Sequence, residues 1–178
     1  MHPCPRPAYL VFAIGMLFCG TAMAGESAQP MATTQPVAST GMPVFVSNIA
    51  PEAIDAVKVV DAFSTAIKQV KLDDAAKLLD PKVLILESGS SERSRDEYLQ
   101  SHAIADAAFM QTADQQLRYR QAQAEGTIAW VGTESILSRM QDGKPMHLLS
   151  TETMILRKGP EGWKIVHIHW SSRPAPKS

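Results

Sequence analysis

The chain has 178 residues, 45% of them hydrophobic and 6% aromatic, with 17 Lys and Arg against 18 Asp and Glu. That balance, with no Lys/Arg cluster, excludes the basic footprint of a nucleic-acid-binding domain. The only cysteines are Cys4 and Cys19.

The N-terminal residues 1–24 have the three parts of a secretion signal. These are a basic start with Arg6, an apolar run from Ala8 to Cys19, and a small-residue tail, Thr21-Ala22-Met23-Ala24. The run is about a dozen residues, short of the ~20 that cross a bilayer as a helix, so cleavage near Ala24 is expected rather than a permanent membrane anchor. Phe18 is too bulky before Cys19 for a lipid-attachment site. The expected address is therefore periplasmic or secreted. Cleavage also removes both cysteines, leaving no disulfide, thiolate nucleophile or Cys metal ligand.

Residues 25–49 are rich in Pro, Ser, Thr, Ala and Gln without a sustained apolar period, and read as a disordered linker. The triplet Val44-Phe45-Val46 is the one part that could dock on the body. Residues 50–173 are one domain's length, with 174–178 as a tail.

Within the domain, Ile54, Val57, Val60, Phe63, Ile67 and Val70 recur at three- and four-residue steps and predict a helix opened by Pro51. A short helix over 72–79 follows, with Asp73 and Asp74 at its start and Pro81 stopping it. Val83 to Glu87 reads as a strand, broken by Ser88-Gly89-Ser90. Ser94-Arg95-Asp96-Glu97 is a capping box for a third helix to about Gln111. The period then changes to two. Strands over 117–124, 127–140, 145–158 and 163–171 are separated by Glu125-Gly126, Asp142-Gly143 and Gly159 to Gly162, an antiparallel meander. The layout is α+β, with about three helices packed on one face of a strongly bent sheet.

This order of elements resembles the nuclear transport factor 2-like, or SnoaL-like, superfamily over nearly all of residues 52–173. The closing string Gly162-Trp163-Lys164-Ile165-Val166-His167-Ile168-His169-Trp170-Ser171 is similar to the last strand of the calcium/calmodulin-dependent kinase association domain. Leu86-Glu87-Ser88-Gly89, Ser94-Arg95-Asp96-Glu97-Tyr98, Ala105-Asp106-Ala107-Ala108-Phe109 and Ser150-Thr151-Glu152-Thr153-Met154 look like the secreted, uncharacterised branch. The resemblance implies a cone with a pocket at its open end and a homodimer formed through the sheet. It implies no particular reaction, and the Asp-plus-Tyr arrangement of the ketosteroid isomerases has no clear motif match.

Candidate site residues follow from register. A regular turn across Gly159 to Gly162 sets Glu152 opposite His169 and Met154 opposite His167, so carboxylate and imidazole share a face. His167 and His169 share a face by the two-residue period. On the third helix, Tyr98, His102 and Asp106 recur at four-residue steps, and Glu87 ends the strand before it. Glu87, Tyr98, His102, Glu152 and His167 are the ligand-binding candidates, and His169 or Asp106 the general base. Glu152, His167 and His169 form a candidate set for a divalent metal, zinc or copper. The structural alternatives are a register-fixing pair for Glu152 and His169, a satisfied core histidine for His167, and an exposed helix pair for His102 and Asp106.

The same register puts Glu134 opposite Thr151, away from Glu152. It also gives the other face Ile128, Trp130, Ile136, Val166, Ile168 and Trp170, so apolar that a subunit or the helices must cover it. The favoured arrangement has the Glu152 face concave and the apolar face as the dimer surface. Three functions fit: a pocket protein for a small molecule or metal ion, an enzyme of the SnoaL or ketosteroid-isomerase type, and an oligomeric interaction module.

Overall fold

The computed structural model describes residues 45–176. The expected secretion signal and residues 25–44 of the expected linker lie outside them. Four residues of that linker segment are ordered against the domain: β1 (Val46–Ile49) pairs in parallel with residues 119–122.

A single 3-10 turn, Pro51–Ala53, precedes α1 (Ile54–Lys68), so Pro51 opens the turn and not the helix itself. The central residues of the expected stripe, Val57, Val60, Phe63 and Ile67, are buried, while Ile54 and Val70 at its ends are exposed. Val70 lies beyond the helix at φ 59°. After α2 (Leu72–Leu78), β2 (Leu79–Glu87) starts four residues earlier than expected. Its pairing is irregular between Leu79 and Leu84, the stretch holding Pro81, which has no N–H for the ladder. Ser88 and Gly89 take positive φ and, at the expected break, turn the chain into a short hairpin with β3 (Ser90–Glu92).

The third expected helix is two. The Ser94 half of the capping box forms, its hydroxyl accepting from Glu97 N–H, while Glu97 Oε2 accepts from Arg93 N–H, one residue before the cap, instead of from Ser94. However, α3 (Arg95–Gln100) stops at Ser101, whose φ of -125° and ψ of -91° are not helical, and α4 (His102–Thr112) starts anew.

The meander forms as expected, with all but its second strand longer: β4 (Asp114–Glu125), β5 (Ile128–Gln141), β6 (Lys144–Gly159) and β7 (Gly162–Pro174). The sheet order is β1-β4-β5-β6-β7-β2-β3, antiparallel except for the β1–β4 and β2–β7 pairs. Asp142 and Gly143, both at positive φ, make the two-residue turn that sets Glu134 opposite Thr151 and Thr133 opposite Glu152, as the register argument requires.

Two bulges set the faces. In β4, Arg118 is the extra residue, because Leu117 pairs with Ser135 and Tyr119 with Glu134. In β7 the extra residue is Val166, because Ile165 pairs with Leu156 and His167 with Ile155. A bulge bends its strand and changes which side chains face inward. The helices cover the face carrying Ala122, Val131, Met154 and Ile168, four residues aligned across β4 to β7 and all fully buried. This rung packs in one core with Val60 and Phe63 of α1.

Candidate functional site

Inward-facing residues beyond that packed rung change character at each two-residue step. The next rung is Arg120–Thr133–Glu152–Trp170, then Leu117–Ser135–Ser150–Ser172, then Gln115–Leu137–Leu148–Pro174. Small hydroxyl side chains replace large apolar ones in the middle rung, and the space left is a cavity of about 390 Å³ between these strands, α1 and α4. Its walls are apolar and aromatic, with Phe63 and Ile67 from α1, Phe109 and Met110 from α4, and Trp170 from β7. The indole of Trp170 stacks on Phe63, with ring centroids 6.5 Å apart and planes at 19°.

Three carboxyl groups line the cavity: Glu87, Asp106 and Glu152. Glu152 closes a relay running across four strands. Trp170 Nε1 donates to Glu152 Oε2 at 2.8 Å, and the Thr133 hydroxyl bonds the same carboxyl. Arg120 Nε donates to Thr133 Oγ1 at 3.2 Å, and Arg120 Nη1 to Asp61 Oδ1 of α1 at 2.5 Å. Burial pushes the Glu152 carboxyl upward from its ordinary range. The Trp170 bond, the Arg120 charge and the Thr133 bond oppose that shift without cancelling it.

Asp106 is reached from the other side of the Ser101 break. Tyr98, fully buried on α3, donates its hydroxyl to Asp106 Oδ2 at 2.9 Å. Burial raises the Asp106 carboxyl, against the lowering effects of the Tyr98 bond and of His102. Glu87, at the end of β2, is raised by burial and by the Asp106 carboxylate nearby. Behind them His102 Nδ1 contacts Glu92 Oε1, while Glu92 Oε2 is buried without a hydrogen-bond partner.

Of the candidate residues, Glu87, Asp106 and Glu152 therefore meet in one cavity. Tyr98 and His102 stand behind it, Tyr98 buried on α3 and His102 held by Glu92. His167 and His169 do not join them. The Val166 bulge shifts the expected pairing by one, so Glu152 lies opposite Trp170 instead of His169, and Met154 opposite Ile168 instead of His167. His169 is exposed, and His167 Nδ1 bonds the Leu84 carbonyl oxygen at 2.9 Å. The grouping of Glu152, His167 and His169 as one metal set loses its geometric basis. Among the described residues no group of three or more His, Cys, Asp or Glu is arranged to hold a metal ion.

The Glu152 face is the concave one, as expected, but Ile168 and Trp170 belong to it and not to the outer apolar face. Ile128 and Trp130 do lie exposed outside. Sequence reasoning missed Trp170, Thr133 and the serines. The available signal was hydroxyl residues at inward positions 133 and 135 between Val131 and Leu137, where a packed core would carry apolar side chains.

A curved sheet closed by helices thus surrounds a chamber with few, convergent polar groups. The model of the SnoaL-like domain matches residues 57–176, and the chain belongs to that family. A candidate ketosteroid isomerase of Shewanella frigidimarina is 30% identical with a TM-score of 0.63, over 70% of this chain and 99% of its own. A candidate dehydratase of the NTF2-like family from Streptomyces avermitilis is 19% identical with a TM-score of 0.59, over 72% and 100%. A candidate calcium/calmodulin-dependent protein kinase II association domain from Xanthomonas campestris is 18% identical with a TM-score of 0.57, over 71% and 91%. No curated protein matches the chain. Among the described residues no helix is long and apolar enough to cross a membrane.

Proposed function

We propose that the protein binds a small molecule with an apolar body in the chamber between α1, α4 and the concave sheet, and does so in the periplasm or outside the cell after loss of residues 1–24. The observation that carries this reading is the cavity itself. At about 390 Å³ it falls in the size range of small-molecule sites, and its aromatic walls converge on three carboxyl groups. The leader-like pattern from Arg6 to Ala24 supports the address.

The test is binding of the uncharged fluorophore N-phenylnaphthylamine to the purified protein, compared with Ser150→Phe, which fills the middle rung. Saturable binding abolished by Ser150→Phe at unchanged far-UV circular dichroism is the expected result. Binding that Ser150→Phe leaves intact would place the probe elsewhere and remove this reading.

Asp106 favours a second reading as an enzyme. A carboxyl raised by burial, oriented by Tyr98 and open to a cavity has the attributes of a general base. Under that reading Asp106→Asn abolishes turnover while fluorophore binding persists. The exposed Ile128 and Trp130 on the outer sheet face support a homodimer through the sheet, for which light scattering of Trp130→Glu is the check.

A further inference from the structure

We infer that the ligand of this chamber carries a protonated amine on an apolar, ring-sized body, and that the chamber rejects carboxylates of the same shape. The inference rests on the pocket reading above and specifies its chemistry. No Lys, Arg or His is among the lining residues, whereas Glu87, Asp106 and Glu152 all are. An anion entering would meet three carboxyl groups and no cation.

None of the nearby cations lines the chamber. Arg120 is spent on Asp61 and Thr133, His102 on Glu92, and Arg139 lies 4.5 Å above the Phe109 ring without lining the chamber. A cation finds the carboxyl groups in the lining, beside the aromatic side chains of Phe63 and Trp170. The serine hydroxyls at 135, 150 and 172 can accept further ammonium hydrogens.

Proton linkage gives this site a signature that a merely greasy pocket lacks. Burial holds the three carboxyl groups toward their neutral form; the charges of Asp106 and Glu92 raise Glu87 further, and that of Glu92 raises Asp106. Tyr98 and His102 act on Asp106 in the opposite sense, and Trp170, Thr133 and Arg120 on Glu152, with Asp61 opposing Arg120. A bound ammonium favours the ionised carboxylate, so binding releases protons. Amine affinity therefore rises with pH through the range in which these groups titrate, and levels off above it.

Three ligands on one skeleton, naphthylethylamine, naphthylethanol and naphthylacetic acid, are titrated calorimetrically into the purified protein in buffers of different ionisation enthalpy. The expected result is amine over alcohol by about tenfold, the acid weaker than both, and proton release on amine binding alone. Asp106→Asn combined with Glu152→Gln reduces the ratio of amine to alcohol affinity to about twofold or less. Equal affinity for amine and alcohol, or preference for the acid, overturns the inference and leaves the pocket reading intact. Absence of amine binding to a protein that still binds N-phenylnaphthylamine does the same, whereas failure of both probes removes the pocket reading with it.

Discussion

Trp170 and Glu152 face each other across β6 and β7, and the indole N–H is the direct donor to a carboxyl that burial would otherwise leave poorly solvated. Replacing Trp170 with Phe keeps most of the stacking on Phe63 but removes that donor. We expect a loss of about 1–3 kcal/mol in denaturant unfolding, the range for leaving a buried acceptor unsatisfied. The Glu152 carboxyl moves further up, which a carbon-detected NMR titration reads directly. An unchanged Glu152 titration in Trp170→Phe would mean that the bond contributes nothing to the carboxyl's environment.

Because the folded-state carboxyl of Glu152 titrates above its unfolded value, the folded chain holds a proton that the unfolded chain has already lost. Stability from this group therefore falls as pH rises from the ordinary carboxyl range through the raised one. Glu152→Gln removes that dependence. The variant's melting temperature should gain on the wild type's over an interval that begins in the ordinary carboxyl range and extends upward through the raised one. A margin constant across that interval contradicts the linkage.

Asp61 and Arg120 form an asymmetric pair, the carboxylate half-exposed and the guanidinium buried. Removing the exposed partner strands a buried charge, while removing the buried one leaves a carboxylate that water can serve. Asp61→Ala should cost about 3 kcal/mol, and Arg120→Met distinctly less, by equilibrium unfolding. The reverse order would show that the guanidinium matters chiefly as the donor to Thr133.

Tyr98→Phe leaves ring packing in place and deletes the bond to Asp106. A stability loss of about 1 kcal/mol is expected, with the Asp106 carboxyl displaced further upward because its main opposing influence is gone. If Asp106 acts as a base, the pH profile of turnover shifts alkaline in the same variant. A profile that does not move assigns the base elsewhere.

Periodicity made α1, the capping box at Ser94 and the meander legible, because each depends on local residue types and spacing. The Asp142-Gly143 turn even placed Glu134 and Glu152 on opposite faces correctly. What the sequence concealed were two single-residue insertions, at Arg118 and Val166, which carry no compositional mark. With period two, one extra residue exchanges every side chain beyond it between faces. His167 and His169 were thus assigned to the concave face and Trp170 to the outer one. The Ser101 break was hidden for a different reason, since Ala and Leu on both sides suit either one helix or two.

The bulge at Arg118 also bears on how the sheet ends. β1 pairs with residues 119–122 of β4, and the bulged, charged residue stands where that pairing ceases. At the other margin, β3 is only three residues long. An interrupted, cationic border on one side and a stub on the other offer poor templates for a further strand. Lateral growth into ribbons or fibrils is thereby discouraged, and the chain can carry exposed apolar side chains on its outer sheet face without that face propagating through its rims.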